Sequence, residues 1–169
     1  ELIVRNPKPV IAEVAGTATA AGCQLVASCD LAMASNTVKF ATPGVNLGLF
    51  CSTPMVALSR NVSRKHAMEM LLSGDMVDAS RAEQIGLINR AFNPDQLTSE
   101  TMAMALKIAS KSTMTIAIGK RAFYEQAEMP LNEAYAYTSQ VMTENMLTRD
   151  AEEGIGAFLG KRTPEWQDQ

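Results

Sequence analysis

The segment GTATAAGCQ, Gly16 to Gln24, opens with six small residues and follows a β-branched apolar run, Pro9 to Val14. A strand that feeds a small-residue turn and then a helix leaves backbone N–H groups free at the positive end of the helix dipole. Such donors hold a developing oxyanion without any charged side chain. The same small residues also serve close packing of a strand on a helix, and composition alone leaves both readings open. Other reactive side chains are scattered. Glu13 lies inside the strand, where a carboxylate is expensive unless paired; it is either a relocated base or a paired structural carboxylate. Asp30 and Asp75 read as cap or turn residues, and Glu69, between Met68 and Met70, as a solvated or interface position. Cys51 and Ser52 sit in an irregular loop. Cys51 could act as a nucleophile, although no base stands near it in the sequence. His66, the single histidine, falls in the helical run RKHAMEML and reads as a surface or groove residue.

The elements that must position these groups follow from period and punctuation. Pro9–Val14 predicts a buried strand of a parallel sheet. Residues 22–29 predict a short helix with Leu25 and Val26 facing inward, 31–34 and 38–41 two more strands, and 35–37 a turn between them. Strand, turn, helix, strand is a βαβ pattern. Residues 44–52 read as irregular. Thr53 then reads as an N-cap with Pro54 at the first helical position. Helices follow at 54–60, 64–72 and 79–85, and a strand at 88–92. The remaining ~75 residues are helical in pattern: 95–111, 113–127, 131–147 and 151–161. Methionines at helical spacing there (Met102, Met104, Met114, Met129, Met142, Met146) read as core or subunit-interface filler.

The 169 residues carry a net charge of −3 and 47% hydrophobic residues, which excludes disordered and low-complexity classes. Mild acidity argues against nucleic-acid or anionic-membrane binding, and no run of ~18 apolar residues suggests a membrane span. Three cysteines without a CxxC, and one histidine, argue against a disulfide framework and a zinc site. The sequence starts at Glu1 in mid-phrase and reads as part of something longer.

The phrase KPVIAEVAGTATAAGCQLVASCDLAMAS resembles the central signature of the crotonase, or enoyl-CoA hydratase/isomerase, superfamily. The resemblance continues through KFATPGVNLGLFCSTP, AMEMLLSGD, AEQIGLINRAF and EGIGAFLGKRTPEW, from residue 8 to 166. AAGCQL and FATPGVNLGLFCSTP together resemble one branch of it. The resemblance implies an α/β fold, a crotonase-like spiral of β-β-α units with a C-terminal helical trimerisation region. Residues 1–92 would be the later part of the spiral, and 93–169 the region for oligomerisation and closure of the CoA site. The N-terminal third of the family pattern, with the second oxyanion donor, is expected to lie upstream of Glu1.

The resemblance also implies an acyl-CoA thioester as substrate, no separate cofactor or metal, no nucleic acid, no membrane insertion, and a homotrimer or homohexamer. A bacterial source would imply the cytoplasm, a eukaryotic one the mitochondrial matrix in fatty-acid metabolism. Matched residue by residue, the backbone N–H of Ala21 is the oxyanion donor, acceptable for a non-glycine residue if its φ is negative. Gly22 beside it lets the thioester carbonyl approach. The family's two glutamates fall on Gln24 and Gly44. Gln24 can hydrogen-bond a water but cannot take its proton, so paired-carboxylate hydration is not expected. Ser52 stands in the loop that lines the site. Phe158 and Lys161 match last-helix positions that reach CoA; simple packing and solvation are the alternatives. Trp166 is expected to pack on a neighbour. The implied function is enolate stabilisation on an acyl-CoA, with a non-catalytic acyl-CoA binder or scaffold, or a thioester hydrolase, as alternatives.

Overall fold

The computed structural model describes residues 1–169. They form two compact units, residues 10–105 and residues 1–9 with 106–169. The boundary falls inside one helix.

In the first unit, β1 (Ile11–Val14) pairs in parallel with β3 (Leu31–Ser35), and β3 with β6 (Arg90–Phe92). A second small sheet joins β2 (Ala18–Thr19) in parallel to β4 (Lys39–Ala41), and β4 antiparallel to β5 (Val77–Asp78). Between the strands run α2 (Ala21–Ser28), a 3-10 turn (Pro43–Leu47), α3 (Ser52–Asn61), α4 (Arg64–Ser73) and α5 (Ala79–Gln84). Phe40, Met33, Leu58, Met70 and Leu71 are fully buried. The parallel strand at Pro9–Val14 is therefore as the apolar run predicts. Two local expectations need correction, and one strand goes unpredicted. Leu25 is 59% exposed, because Cys23, Val26 and Ala27 hold the buried face of α2 and residue 25 lies on the opposite side of the helix. The third helix begins at Ser52 with Cys51 as its N-cap, two residues ahead of Thr53; Pro54 is tolerated in the first turn, where its missing N–H has no intrahelical partner. And β5, two residues long, is too short to leave a periodic signal.

The second unit holds α1 (Leu2–Arg5), α7 (Thr113–Gln126), α8 (Leu131–Met146) and α9 (Arg149–Leu159); α6 (Leu97–Ala109) crosses the boundary. The Lys120 ammonium ties α1 to α7 by donating to the carbonyls of Ile3 (2.8 Å) and Lys8 (3.1 Å). None of these six methionines is buried: Met102, Met142 and Met146 are at least half exposed and the others intermediate, with Met129 in the turn after α7 and not in a helix, so they are not core filler in this chain.

Two carboxylates of α9 pin the tail that follows it. Asp150, 2% exposed, accepts from the Gln167 and Asp168 amides at 2.8 and 3.1 Å. Glu153 takes the Arg162 guanidinium through both oxygens, at 2.5 and 2.7 Å, and the Glu165 amide at 2.8 Å. Trp166 lies against Gly154, where a Cβ would stand 3.2 Å from its ring, and donates its indole N–H to the Ser110 carbonyl at 2.9 Å. Its anchor is thus inside its own chain, because glycine at 154 leaves a flat seat for the ring.

Candidate functional site

The small-residue turn becomes a helix entry whose donors are free. Ala20 is the N-cap of α2 and donates its own N–H to the Ala41 carbonyl at 2.9 Å, extending the β2–β4 ladder by one rung. Gln24 makes the first helical bond, to the Ala20 carbonyl at 3.0 Å. The N–H groups of Ala21, Gly22 and Cys23 find no acceptor in the chain, and no side chain caps them. Ala21 is exposed and lies inside α2, so its φ is not positive. The condition for a non-glycine donor at this position is met.

The strain lies one residue earlier. Ala20 adopts φ 47, ψ −113, a region that side chains avoid and glycine enters freely. Holding a non-glycine residue there costs on the order of 1–3 kcal/mol, and such positions cluster where a site over-determines its backbone. Gly22 is not demanded by packing, since a Cβ there would meet Ala18 Cβ at an ordinary 3.7 Å.

Gly44 is different in kind. A Cβ at this position would stand 2.8 Å from the Leu49 carbonyl oxygen and 2.9 Å from Cys51 Sγ, so the turn has closed over it. Its N–H donates to Cys51 Sγ at 3.3 Å, and its carbonyl accepts from Leu49 N–H at 2.9 Å. Cys51 is buried, and Ser52 beside it is exposed, its hydroxyl turned to the Phe50 carbonyl at 3.3 Å. Burial, with the neighbouring Cys51 as a smaller cause, pushes the Cys23 thiol up to about 11, which keeps it protonated and unreactive near neutral pH.

Thr42 is a group that sequence reasoning missed. It is fully buried and its hydroxyl has no partner. Its only sequence signal was its place before Pro43, where a capping residue is expected.

The remaining candidates separate. Glu13 is exposed and accepts from the Thr98 hydroxyl at 2.7 Å, a paired carboxylate in this unit. Asp30 accepts the Val10 amide at 2.7 Å and fixes the start of β1. The Asp75 amide donates to the Ser73 hydroxyl at 3.2 Å in the turn after α4. His66 is half-buried, with Nδ1 3.2 Å from the Arg81 guanidinium and 3.6 Å from Glu69, in a surface cluster. Phe158 is 80% exposed in the second unit. Lys161 follows the end of α9 with φ 51, the left-handed position of a helix-ending motif in which the Arg162 amide bonds the Ala157 carbonyl at 3.0 Å. No group of three or more His, Cys, Asp or Glu side chains is placed to hold a metal ion, and no helix is long and apolar enough to cross a membrane.

Residues 1–169 match the enoyl-CoA hydratase/isomerase family profile. The chain is 53% identical to human enoyl-CoA hydratase domain-containing protein 3, mitochondrial, over 98% of its own length and 55% of that protein's. It therefore spans about 55% of the length of the curated relative it matches. A crystal structure of an enoyl-CoA hydratase from Mycobacterium smegmatis superposes with a TM-score of 0.95 at 54% identity, covering 97% of this chain and 64% of that one. The crystal structure of the human domain-containing protein 3 gives 0.94 at 54%, covering 98% and 65%. The branch that AAGCQL and FATPGVNLGLFCSTP resemble is this one.

Proposed function

Because the chain belongs to the enoyl-CoA hydratase/isomerase family and has the crotonase fold, we propose that it binds an acyl-CoA thioester and stabilises the enolate of its acyl group. The observation that carries this is the set of unpaired amides at the start of α2, with Ala21 as donor to the thioester oxygen. A thioester carbonyl gains negative charge on oxygen when its Cα loses a proton or accepts a nucleophile. Preorganised N–H donors lower that charge's energy without reorganisation, and one such donor is typically worth about 10²–10³ in rate. Gly22 would keep the approach open, and Gln24, whose side-chain amide finds no partner in the chain, can orient the reacting group or a water.

Paired-glutamate hydration does not fit these residues. Gln24 cannot carry a proton away, and position 44 has no room for a side chain. The chemistry left to this chain is proton transfer or elimination at Cα with a base from outside these positions, or binding without turnover. Phe158 and Lys161 are proposed to reach the CoA moiety. Lysine in a left-handed position that glycine would fill at no cost supports a role for its ammonium as a point charge toward phosphate. The exposed Leu131, Tyr135, Met142 and Met146 of α8 support a homotrimer or homohexamer, since single apolar side chains are ordinary on a surface but a run along one helix is not. A eukaryotic source would place the protein in the mitochondrial matrix and a bacterial one in the cytoplasm.

Calorimetric titration of the complete protein with CoA and with acyl-CoA of several chain lengths tests the reading. Heat with acyl-CoA above that with CoA alone is expected; no heat with either would sink it. Loss of the conjugated enoyl-thioester absorbance would show that hydration occurs after all. Release of free CoA thiol would favour a hydrolase.

A further inference from the structure

We infer that Cys51 is a positioning residue for the 43–51 turn: its thiol takes the Gly44 amide that Thr42 would ordinarily hold, and the turn fixed in this way bars any side chain from position 44. Thr42 caps the 3-10 turn, and a threonine there ordinarily accepts a bond from an N–H of the first turn. It makes no such bond. The Gly44 N–H points instead to Cys51 Sγ, 3.3 Å away, and the Thr42 hydroxyl is left fully buried and unpaired. Sulfur is the weaker acceptor, so the arrangement exchanges a good hydrogen bond for a poor one and strands a hydroxyl. An uncompensated polar group of this kind calls for a reason.

The reason lies in what the sulfur holds. It stands 2.9 Å from where a Cβ of residue 44 would be, with the Leu49 carbonyl on the same side at 2.8 Å. Cys51 also begins α3, so the bond ties the turn to that helix. The residue before Thr42, Ala41, accepts the Ala20 amide at 2.9 Å, which places the turn directly after the rung on which the α2 donors hang. A shift of the 43–51 turn is therefore felt at Ala20 and Ala21. The consequence for binding rests on the acyl-CoA reading; the exchange of hydrogen bonds does not.

The variants Cys51→Ala, Thr42→Val and their double, made in the complete protein, test the exchange. Cys51→Ala hands the Gly44 amide to Thr42, so its unfolding midpoint falls little. Thr42→Val removes the stranded hydroxyl and leaves the midpoint unchanged or higher. The double variant has no acceptor, and its midpoint falls below the sum of the singles by about 2–4 °C. Additive shifts would overturn the exchange. The positioning role is read by calorimetry: acyl-CoA binding weakens threefold to tenfold in Cys51→Ala and returns to within about twofold in Cys51→Ser, which keeps an acceptor. Unchanged affinity in Cys51→Ala would overturn positioning even with coupling present. If the unaltered protein gives no heat with acyl-CoA, that function fails, and the midpoint coupling alone decides the exchange.

Discussion

The entry to α2 and the tail after α9 treat polar groups in opposite ways. At the entry, three amides, one buried hydroxyl and one glutamine amide are left without partners, beside an alanine in a glycine-like conformation. In the tail, Asp150 and Glu153 collect amides and a guanidinium until their oxygens are filled. A native protein satisfies its buried polar groups as a rule. The tail obeys that rule and fixes architecture. At the entry only the Thr42 hydroxyl departs from it; the helix-start amides are open because Ala21 is exposed and Gly22 is half-buried, which is where donors can meet something from outside the chain.

Gly44→Ala probes this contrast hardest. A methyl group must push the Leu49 carbonyl or the Cys51 sulfur aside, so a loss of about 2–3 kcal/mol is expected by denaturant unfolding. A loss below about 0.5 kcal/mol, the range of an ordinary surface change, would mean that the turn is not closed. Ala20→Gly comes next and has the opposite sign. It releases the strained φ and raises stability by about 1 kcal/mol, less whatever glycine adds to unfolded-chain entropy. A destabilised variant would show that Ala20 is not strained, and the two regions would then differ less than described.

The smallest effect concerns pH in the tail. The Arg162 guanidinium, then the Glu165 amide, hold the Glu153 carboxyl down at about 2 against an ordinary 4.5. The Ser112 hydroxyl, then the Gln167 amide, lower Asp150 in the same direction. A carboxyl lowered in the folded state adds stability that is complete above its unfolded value and disappears as pH falls through its folded one. The tail should therefore hold down to pH 4.5 and loosen between there and about 2. Emission from Trp166, the only tryptophan, reports this directly. A flat emission profile across that window would show that the carboxylates do not hold the tail.

How much of this was legible in the sequence depends on the range of the signal. The strand at β1, the α2 helix and the long helices α6 to α9 follow from periodicity and punctuation and appear within a few residues. The family phrase around Gly16 to Asp30 fixed the fold because its glycines, small residues and acid recur at set spacing. The inward expectation for Leu25 fails because an eight-residue helix offers barely two turns over which a face can show. The closed position at Gly44 was invisible, since its cause is a backbone oxygen five residues on and a sulfur seven residues on. Thr42 is hidden for a related reason: the bond that it lacks is taken by a cysteine nine residues later in the chain, and a motif that spans the turn does not say which of its groups bond.

Lys161 carries a consequence for anyone who would improve this protein. Its backbone angle is one that glycine adopts freely. A stability-guided design would replace it, and the glycine preference of helix-ending motifs points the same way. If the ammonium meets a CoA phosphate, the same exchange would weaken ligand capture while it raised the melting point. A screen for heat resistance and a screen for ligand retention would then rank Lys161→Gly at opposite ends of their lists.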